Sequence, residues 1–246
     1  MKALIFAAGL GTRLRPLTDN RPKALVEVAG RPMLEHVIRN LASYGFKDIV
    51  VNVHHFGDQI IDFLAANDNF GINIAVSDER GELLDTGGGI LKARTLLDDD
   101  EPFLVHNADI LTDLNLADFY NYHLHHEADA SLLVADRETS RYLVFSPERR
   151  LEGWVNVKTG ETRPASFQQA ENQMQLAFGG IHVISPSVFK ALATYTTEHK
   201  FSITPFYVDN CQQLKIMGYT PTTAYQWFDI GSPEKLAQAE AAITAK

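Results

Sequence analysis

Cysteine is almost missing from these 246 residues, and the single Cys211 cannot form an internal disulfide. That fits a reducing compartment, so a cytoplasmic location is expected. Positive charge is scarce as well: 22 Lys and Arg face 31 Asp and Glu, for a formal net charge of -9. An acidic chain lacks the basic face that displaces counterions from a polyanion, so nucleic acid is not expected as a partner. No run approaches the roughly 20 apolar residues of a bilayer-spanning helix, which leaves no reason to expect a membrane partner. The start, Met1 to Gly9, superficially imitates a secretory signal. It is followed by Arg13 and Arg15 where a small-residue cleavage site would be needed, so the same residues read as a buried first strand.

What the chain does have is an ordinary globular composition, 45% hydrophobic and 10% aromatic, long enough to bury a sizeable core. Its charge is uneven. Residues 1–30 hold Lys2, Arg13, Arg15, Arg21 and Lys23 against Asp19 and Glu27, a local +3 inside an acidic protein. A basic island of this size points to a small anionic ligand.

Ala3 to Phe6 is an apolar run ending near glycine, the pattern of a strand buried on both faces. Leu34, Val37, Ile38 and Leu41 recur at helical spacing between Pro32 and Gly45. Asp48 to Val53 and Ile72 to Val76 read as strands flanking a helix with Ile60, Ile61 and Leu64. A helix is expected over Gly89 to Leu97, closed by the acidic run Asp98 to Glu101, then a strand Phe103 to His106. Strands alternating with helices imply an α/β fold with a Rossmann-like, mixed, mostly parallel sheet flanked by helices. The second half is richer in strands: Ser131 to Val134, Tyr142 to Phe145, Leu151 to Val157 and Leu176 to Val183. A helix covers Leu116 to Tyr122. Ser232 and Pro233 open a closing helix, Glu234 to Ile243.

Gly9-Leu-Gly11-Thr-Arg-Leu14 directly follows the first strand, where open α/β sheets bind ligands. Glycine lets backbone N–H groups approach phosphate oxygens, and Arg13 adds a charged fork. A dinucleotide fingerprint would place a third glycine where Leu14 stands, and no P-loop sequence occurs. The longer stretch Ala7-Ala8-Gly9-Leu10-Gly11-Thr12-Arg13-Leu14, then Pro16-Leu17-Thr18 and Arg21-Pro22-Lys23-Ala24-Leu25, resembles the signature of the sugar-1-phosphate nucleotidyltransferases. Later landmarks fall in that family's order: Leu84 to Gly89, Asn107-Ala108-Asp109, Phe178-Gly179-Gly180-Ile181 and Trp227-Phe228-Asp229-Ile230-Gly231. The C-terminal β-helix of some larger members is not expected.

The resemblance implies attack of a sugar 1-phosphate on the α-phosphorus of a nucleoside triphosphate, with release of pyrophosphate. Two anions must be brought together, so clamping charge is the main task. Catalytic roles then fall to Arg13, against the triphosphate, and Lys23, against the α-phosphate. Ala8, Gly9, Gly11, Thr12, Gly87 and Gly88 would bind the nucleotide, the glycines making room for the base before a helix. Asn107 and Gly179 would face the sugar. Asp109 and Asp229 would hold Mg2+, whose other ligands are phosphate and water. Alanine at 108 departs from the family's usual glycine. A single domain, 1–246, is expected, with a nucleotide-binding half (1–115) and a sugar-binding half (116–246).

Among subfamilies the short chain and the Asp85 to Gly89 segment look most like N-acetylmuramate-1-phosphate uridylyltransferases, with UTP favoured. Mannose- or heptose-1-phosphate guanylyltransferase and choline-phosphate cytidylyltransferase are the alternatives. A non-catalytic regulatory subunit is disfavoured by the intact Arg13, Lys23, Asp109 and Asp229 set. Asn52 and Glu82 are candidates to read the base edge, and His54 to touch substrate. His123, His125, His126 and Glu127 are too crowded for converging zinc ligands and read as a solvated helix end. Cys211 reads as a buried apolar residue, and Trp227 and Phe228 as packing. Arg15 and Arg21 either touch ligand or shape the loop. Oligomeric state is not legible.

Overall fold

A computed structural model describes residues 1–97, 99–165 and 167–244. In chain order the first half runs β1 (Lys2–Phe6), β2 (Glu27–Val28), β3 (Arg31–Pro32), α1 (Met33–Ser43), β4 (Asp48–Val53), α2 (Gly57–Ala66), β5 (Asn73–Asp78), α3 (Asp85–Lys92), α4 (Arg94–Leu97), β6 (Phe103–Asn107) and β7 (Ile110–Thr112). The second continues with α5 (Leu116–His125), β8 (Ala130–Ala135), β9 (Arg141–Phe145), β10 (Leu151–Asn156), β11 (Thr162–Arg163), β12 (Met174–Ile184), α6 (Val188–Leu192), α7 (Ile203–Asp209), β13 (Ile216–Tyr219), β14 (Trp227–Asp229) and α8 (Pro233–Thr244).

Among the described residues one ten-stranded sheet runs β11-β10-β9-β12-β6-β1-β4-β5, with β8 on β12 and β13 on β8. The strands β6, β1, β4 and β5 are parallel, and β12 is antiparallel to its neighbours β6, β8 and β9. Among the described residues no helix is long and apolar enough to cross a membrane.

The parallel part follows from strands apolar on both faces. Ala3 and Ile5 pack with Val37, Ile38 and Leu41 of α1, while Leu4 between them packs with Ile90 and Val105 on the opposite face. Each fully buried Leu, Ile or Val among them contributes roughly 1.5–3 kcal/mol. The chain leaves β1 for β4 and β5, then returns to β6 on the other side of β1. This reversal opens a crevice at the carboxyl ends of β1 and β6, where α/β sheets hold ligands.

Two expected boundaries shift. The helix expected from Gly89 starts at Asp85, so Gly87, Gly88 and Gly89 lie inside it, and it breaks at Ala93 before α4. Of the acidic run after it, Asp98 lies outside the described residues. The helix expected to end at Tyr122 continues to His125, with the Asn115 side chain accepting from the Asp118 N–H at 3.1 Å.

Candidate active site

The crevice is a cavity of about 390 Å³ whose walls include Ala8, Gly9, Lys23, Thr86, Asn107 and Asp109. Its floor is a buried polar chain. Asn52 Oδ1 accepts from the N–H groups of Ala7 (2.7 Å) and Ala8 (3.2 Å), and Asn52 Nδ2 donates to Glu79 Oε1 at 2.9 Å. Glu79 Oε2 accepts from the Leu84 N–H at 3.2 Å. Glu79 is fully buried and its carboxyl is pushed above the ordinary carboxylate range by that burial. This chain ties the loop after β1 to β4 and to the start of α3, fixing the height at which Gly9 meets the cavity. Gly9 has no atom within 4 Å of where a Cβ would stand, so its backbone is open to a ligand.

Gly11 has a different task. It takes φ +65°, and a Cβ there would come within 2.9 Å of both Lys23 Cβ and Thr18 Cγ2. Glycine thus lets the 22–25 segment close on the loop, and Lys23 reaches Asp109, with which it forms an ion pair while only 12% exposed. Thr12 opens the short exposed turn Thr12–Leu14 that carries Arg13. The Arg13 guanidinium lies against Gly231, whose Cβ would meet it at 3.1 Å. Arg15 is exposed and pairs weakly with Asp19 at 3.5 Å.

The two aspartates come together through backbone pairing. Asp229 of β14 stands opposite Ile110 of β7, and the Ile230 N–H donates to the Asp109 carbonyl at 2.8 Å. Lys235 Nζ reaches Asp229 Oδ2 at 2.8 Å. Arg13, Lys23, Asp109 and Asp229, spread over 216 positions of chain, therefore share one edge of the sheet. Among the described residues there is no group of three or more His, Cys, Asp or Glu fit to hold a metal. Two carboxylates alone still suit Mg2+, which keeps several waters and takes phosphate oxygens for the rest of its shell.

Several expected roles are corrected. Gly87 and Gly88 do not clear space for a base. A Cβ at Gly87 would stand 2.4 Å from the Phe201 ring, and one at Gly88 would stand 2.2 Å from the His199 carbonyl oxygen. Both N–H groups donate to the Phe201 carbonyl, at 2.8 and 3.2 Å. The glycines clasp the 199–201 segment, and Thr86 and Lys200 beside them line the cavity instead. The Gly179 carbonyl accepts from the Trp227 indole N–H at 2.9 Å, and a Cβ at Gly179 would press Leu133 at 3.0 Å. Asn107 does line the cavity, with Gly180 packed on its amide. Asn52 lines the cavity while its side chain holds the loop. Glu82 is exposed and faces His199 at 3.7 Å. His54 is bound to the Glu79 carbonyl at 2.6 Å.

His123 is not solvated but buried, between Ser131 Oγ (3.0 Å) and Ser185 Oγ (2.9 Å). Cys211 is buried and its thiol is pushed up by desolvation. Trp227 is half-buried, its ring 4.4 Å from the Arg137 guanidinium carbon. Sequence reasoning missed Glu79, Lys200 and Lys235. Glu79 looks like any surface carboxylate beside Asp78 and Arg80. Lys235 is signalled only by its place in the first turn of the helix after Asp229.

Comparison with known proteins agrees with this geometry. The profile described as Nucleotidyl transferase matches residues 2–246. N-acetylmuramate alpha-1-phosphate uridylyltransferase of Neisseria meningitidis serogroup B is 33% identical over 98% of this chain and 97% of its own length. Mannose-1-phosphate guanyltransferase of Schizosaccharomyces pombe is 32% identical over 95% of this chain, which spans 62% of that longer protein. The crystal structure of HddC from Yersinia pseudotuberculosis has the same fold, with a TM-score of 0.76 at 22% identity over 98% of this chain and 99% of that one. The motif resemblance to the sugar-1-phosphate nucleotidyltransferases is upheld over the whole length, and the chain belongs to the nucleotidyl transferase family.

Proposed function

We propose that the chain transfers a uridylyl group from UTP to N-acetylmuramate 1-phosphate, giving the nucleotide sugar and pyrophosphate, in the cytoplasm and with Mg2+. The observation that carries this reading is the pairing of Lys23 with Asp109 on the wall of the cavity at the carboxyl ends of β1 and β6, with Asp229 brought alongside by the pairing of β14 with β7 and Arg13 lying against Gly231. The nucleotide belongs to residues 1–115 and the sugar to the side built by 116–246. The 33% identity to the N-acetylmuramate alpha-1-phosphate uridylyltransferase, over nearly all of both proteins, supports uridine and the muramic acceptor.

The open backbone at Gly9 receives phosphate oxygens. Lys23 holds the α-phosphate, and the ion pair with Asp109 keeps its Nζ at the cavity wall. Arg13 gathers the departing pyrophosphate. Asp109 and Asp229 would hold Mg2+, which when bound neutralises charge on the triphosphate. The acceptor phosphate is already anionic at neutral pH, so the protein supplies alignment and charge compensation and needs no general base.

The test is a pyrophosphate-release matrix of UTP, GTP, CTP and dTTP against N-acetylmuramate, mannose, heptose and glucose 1-phosphates and phosphocholine, with and without Mg2+. UTP with N-acetylmuramate 1-phosphate should have the highest kcat/KM. A clear preference for GTP with mannose 1-phosphate would refute the reading. Asp109→Asn and Asp229→Asn should each abolish Mg2+-dependent turnover, and full activity in either would remove the metal assignment.

A further inference from the structure

A second cavity, of about 530 Å³, adjoins the first. The two share the 200–202 segment: Lys200 lines the first and Ser202 the second, with Ser202 Oγ 3.4 Å from Thr86 Oγ1 on the first cavity's wall. One wall of the second cavity is a sheet face fixed by register. Arg141 of β9 stands opposite Asn156 of β10, Leu143 opposite Trp154, and Trp154 opposite Arg163 of β11. Directly opposed residues of antiparallel strands share a face, so both arginines and the indole point the same way. Arg137 joins them from the turn after β8.

Three guanidiniums therefore line one cavity of a chain with net charge -9. Glu161 is the single carboxylate on the described wall. The arginines are not equivalent. Arg137 donates to the Phe178 carbonyl at 2.7 Å and lies over Trp227. Arg163 is paired with Glu161 at 3.2 Å and lies 5.8 Å from the centre of the Trp154 ring. Both are held in place by these partners. The Arg141 guanidinium is exposed and makes no ion pair or hydrogen bond among the described residues, while Arg137 and Arg163 line the same cavity. The Arg141 donors are left for a ligand, and the guanidinium fork matches a carboxylate in two parallel hydrogen bonds.

On the function proposed above, the phosphates of both substrates are met by Lys23 and Asp109 on the first cavity's wall and by Arg13 and Asp229 beside it. The remaining anion lies elsewhere on the acceptor. We propose that this arginine face is a specificity subsite for a carboxylate carried on the sugar, with Arg141 as the contacting residue, so that the acceptors are acidic sugar 1-phosphates. The inference rests on the reading above, that a sugar 1-phosphate lies beside the first cavity. Trp154 and Phe178 supply apolar faces for the sugar ring next to that charge.

The experiment measures kcat/KM with UTP for two matched pairs: N-acetylmuramate against N-acetylglucosamine 1-phosphate, and glucuronate against glucose 1-phosphate. It compares the parent chain with Arg141→Leu and Arg141→Lys. A charged hydrogen bond is worth about 1.5–3 kcal/mol, so the acid-to-neutral ratio should fall about 10- to 100-fold in Arg141→Leu, mainly through KM. Arg141→Lys should recover part of it. Arg141 is exposed, so both variants should melt with the parent. Equal loss on both members of a pair, or an acid preference that survives Arg141→Leu, overturns the subsite, the second result leaving the muramic acceptor in place. An Arg141-dependent preference in the glucuronate pair without turnover of N-acetylmuramate 1-phosphate removes the proposed acceptor while the subsite stands.

Discussion

Replacing Gly88 by alanine separates two accounts of the three glycines in α3. In an ordinary helix the change would stabilise by about 1 kcal/mol, because glycine gives up more backbone freedom on folding. Here the new methyl would stand 2.2 Å from the His199 carbonyl oxygen and 3.0 Å from Leu84 Cβ. The first neighbour is backbone and cannot rotate away, so the 199–201 segment or the helix must shift. Overpacking of this kind costs about 1–3 kcal/mol. The shift also strains the Gly87 and Gly88 bonds to the Phe201 carbonyl and the 3.1 Å bond from the Phe201 N–H to Leu84. A 2.2 Å approach to backbone puts the cost in the upper part of that range, about 2–3 kcal/mol, so against the helix gain of about 1 kcal/mol the expected net loss is about 1–2 kcal/mol in urea denaturation. Lys200 and Thr86 move with the clasp, and Thr86 Oγ1 accepts from the Ile203 N–H at 2.9 Å, so KM for UTP should rise several-fold. Gly9→Ala is the contrast: no atom lies within 4 Å of its Cβ position, so stability should stay put while phosphate approach is blocked. A Gly88→Ala protein as stable as the parent, or more so, would refute the clasp.

Lys23→Met should lower kcat by about 10²–10³, the loss seen when one charge-stabilising donor is removed, with the fold intact by circular dichroism. Gly11→Ala should cost about 1–3 kcal/mol in thermal or urea denaturation, because φ +65° and the 2.9 Å approach of Lys23 both exclude a methyl, and activity should fall with it. Burial holds His106 and His123 down to about 4 and His182 to about 3, against 6.5 for an ordinary histidine. They are neutral when folded and take up protons on unfolding, so their contribution is complete above pH 6.5 and is lost as pH falls toward 4. Denaturation measured from pH 7 to 4 should show stability falling by up to three protons' worth of slope, and His123→Gln should remove about one; a flat profile would contradict the burial.

How much of this was readable from the sequence depended on the range of the interaction involved. β1, α1 and β4 announce themselves by local periodicity, and the loop after β1 by a motif whose glycines, arginine and lysine sit close in the chain. The bounds of α3 were misread because glycine is normally a helix breaker. Its tolerance here comes from the 199–201 segment, more than a hundred residues away, filling the missing side-chain positions. Glu79 was invisible for the same reason. Its burial and its bonds to Asn52 and Leu84 are set by the pairing of β4 with β5 and the approach of α3.

The class of the sheet, the glycine loop after β1 and the identity of the charged groups were legible along the chain, since each depends on residues close together or on a spaced motif. What those groups face was set by packing. The reversal at β1 put Asp109 beside Lys23, the pairing of β7 with β14 brought up Asp229, and strand register gathered Arg141, Trp154 and Arg163 on one face. Charge acts through distance in space, and that distance is fixed by packing, not by position along the chain.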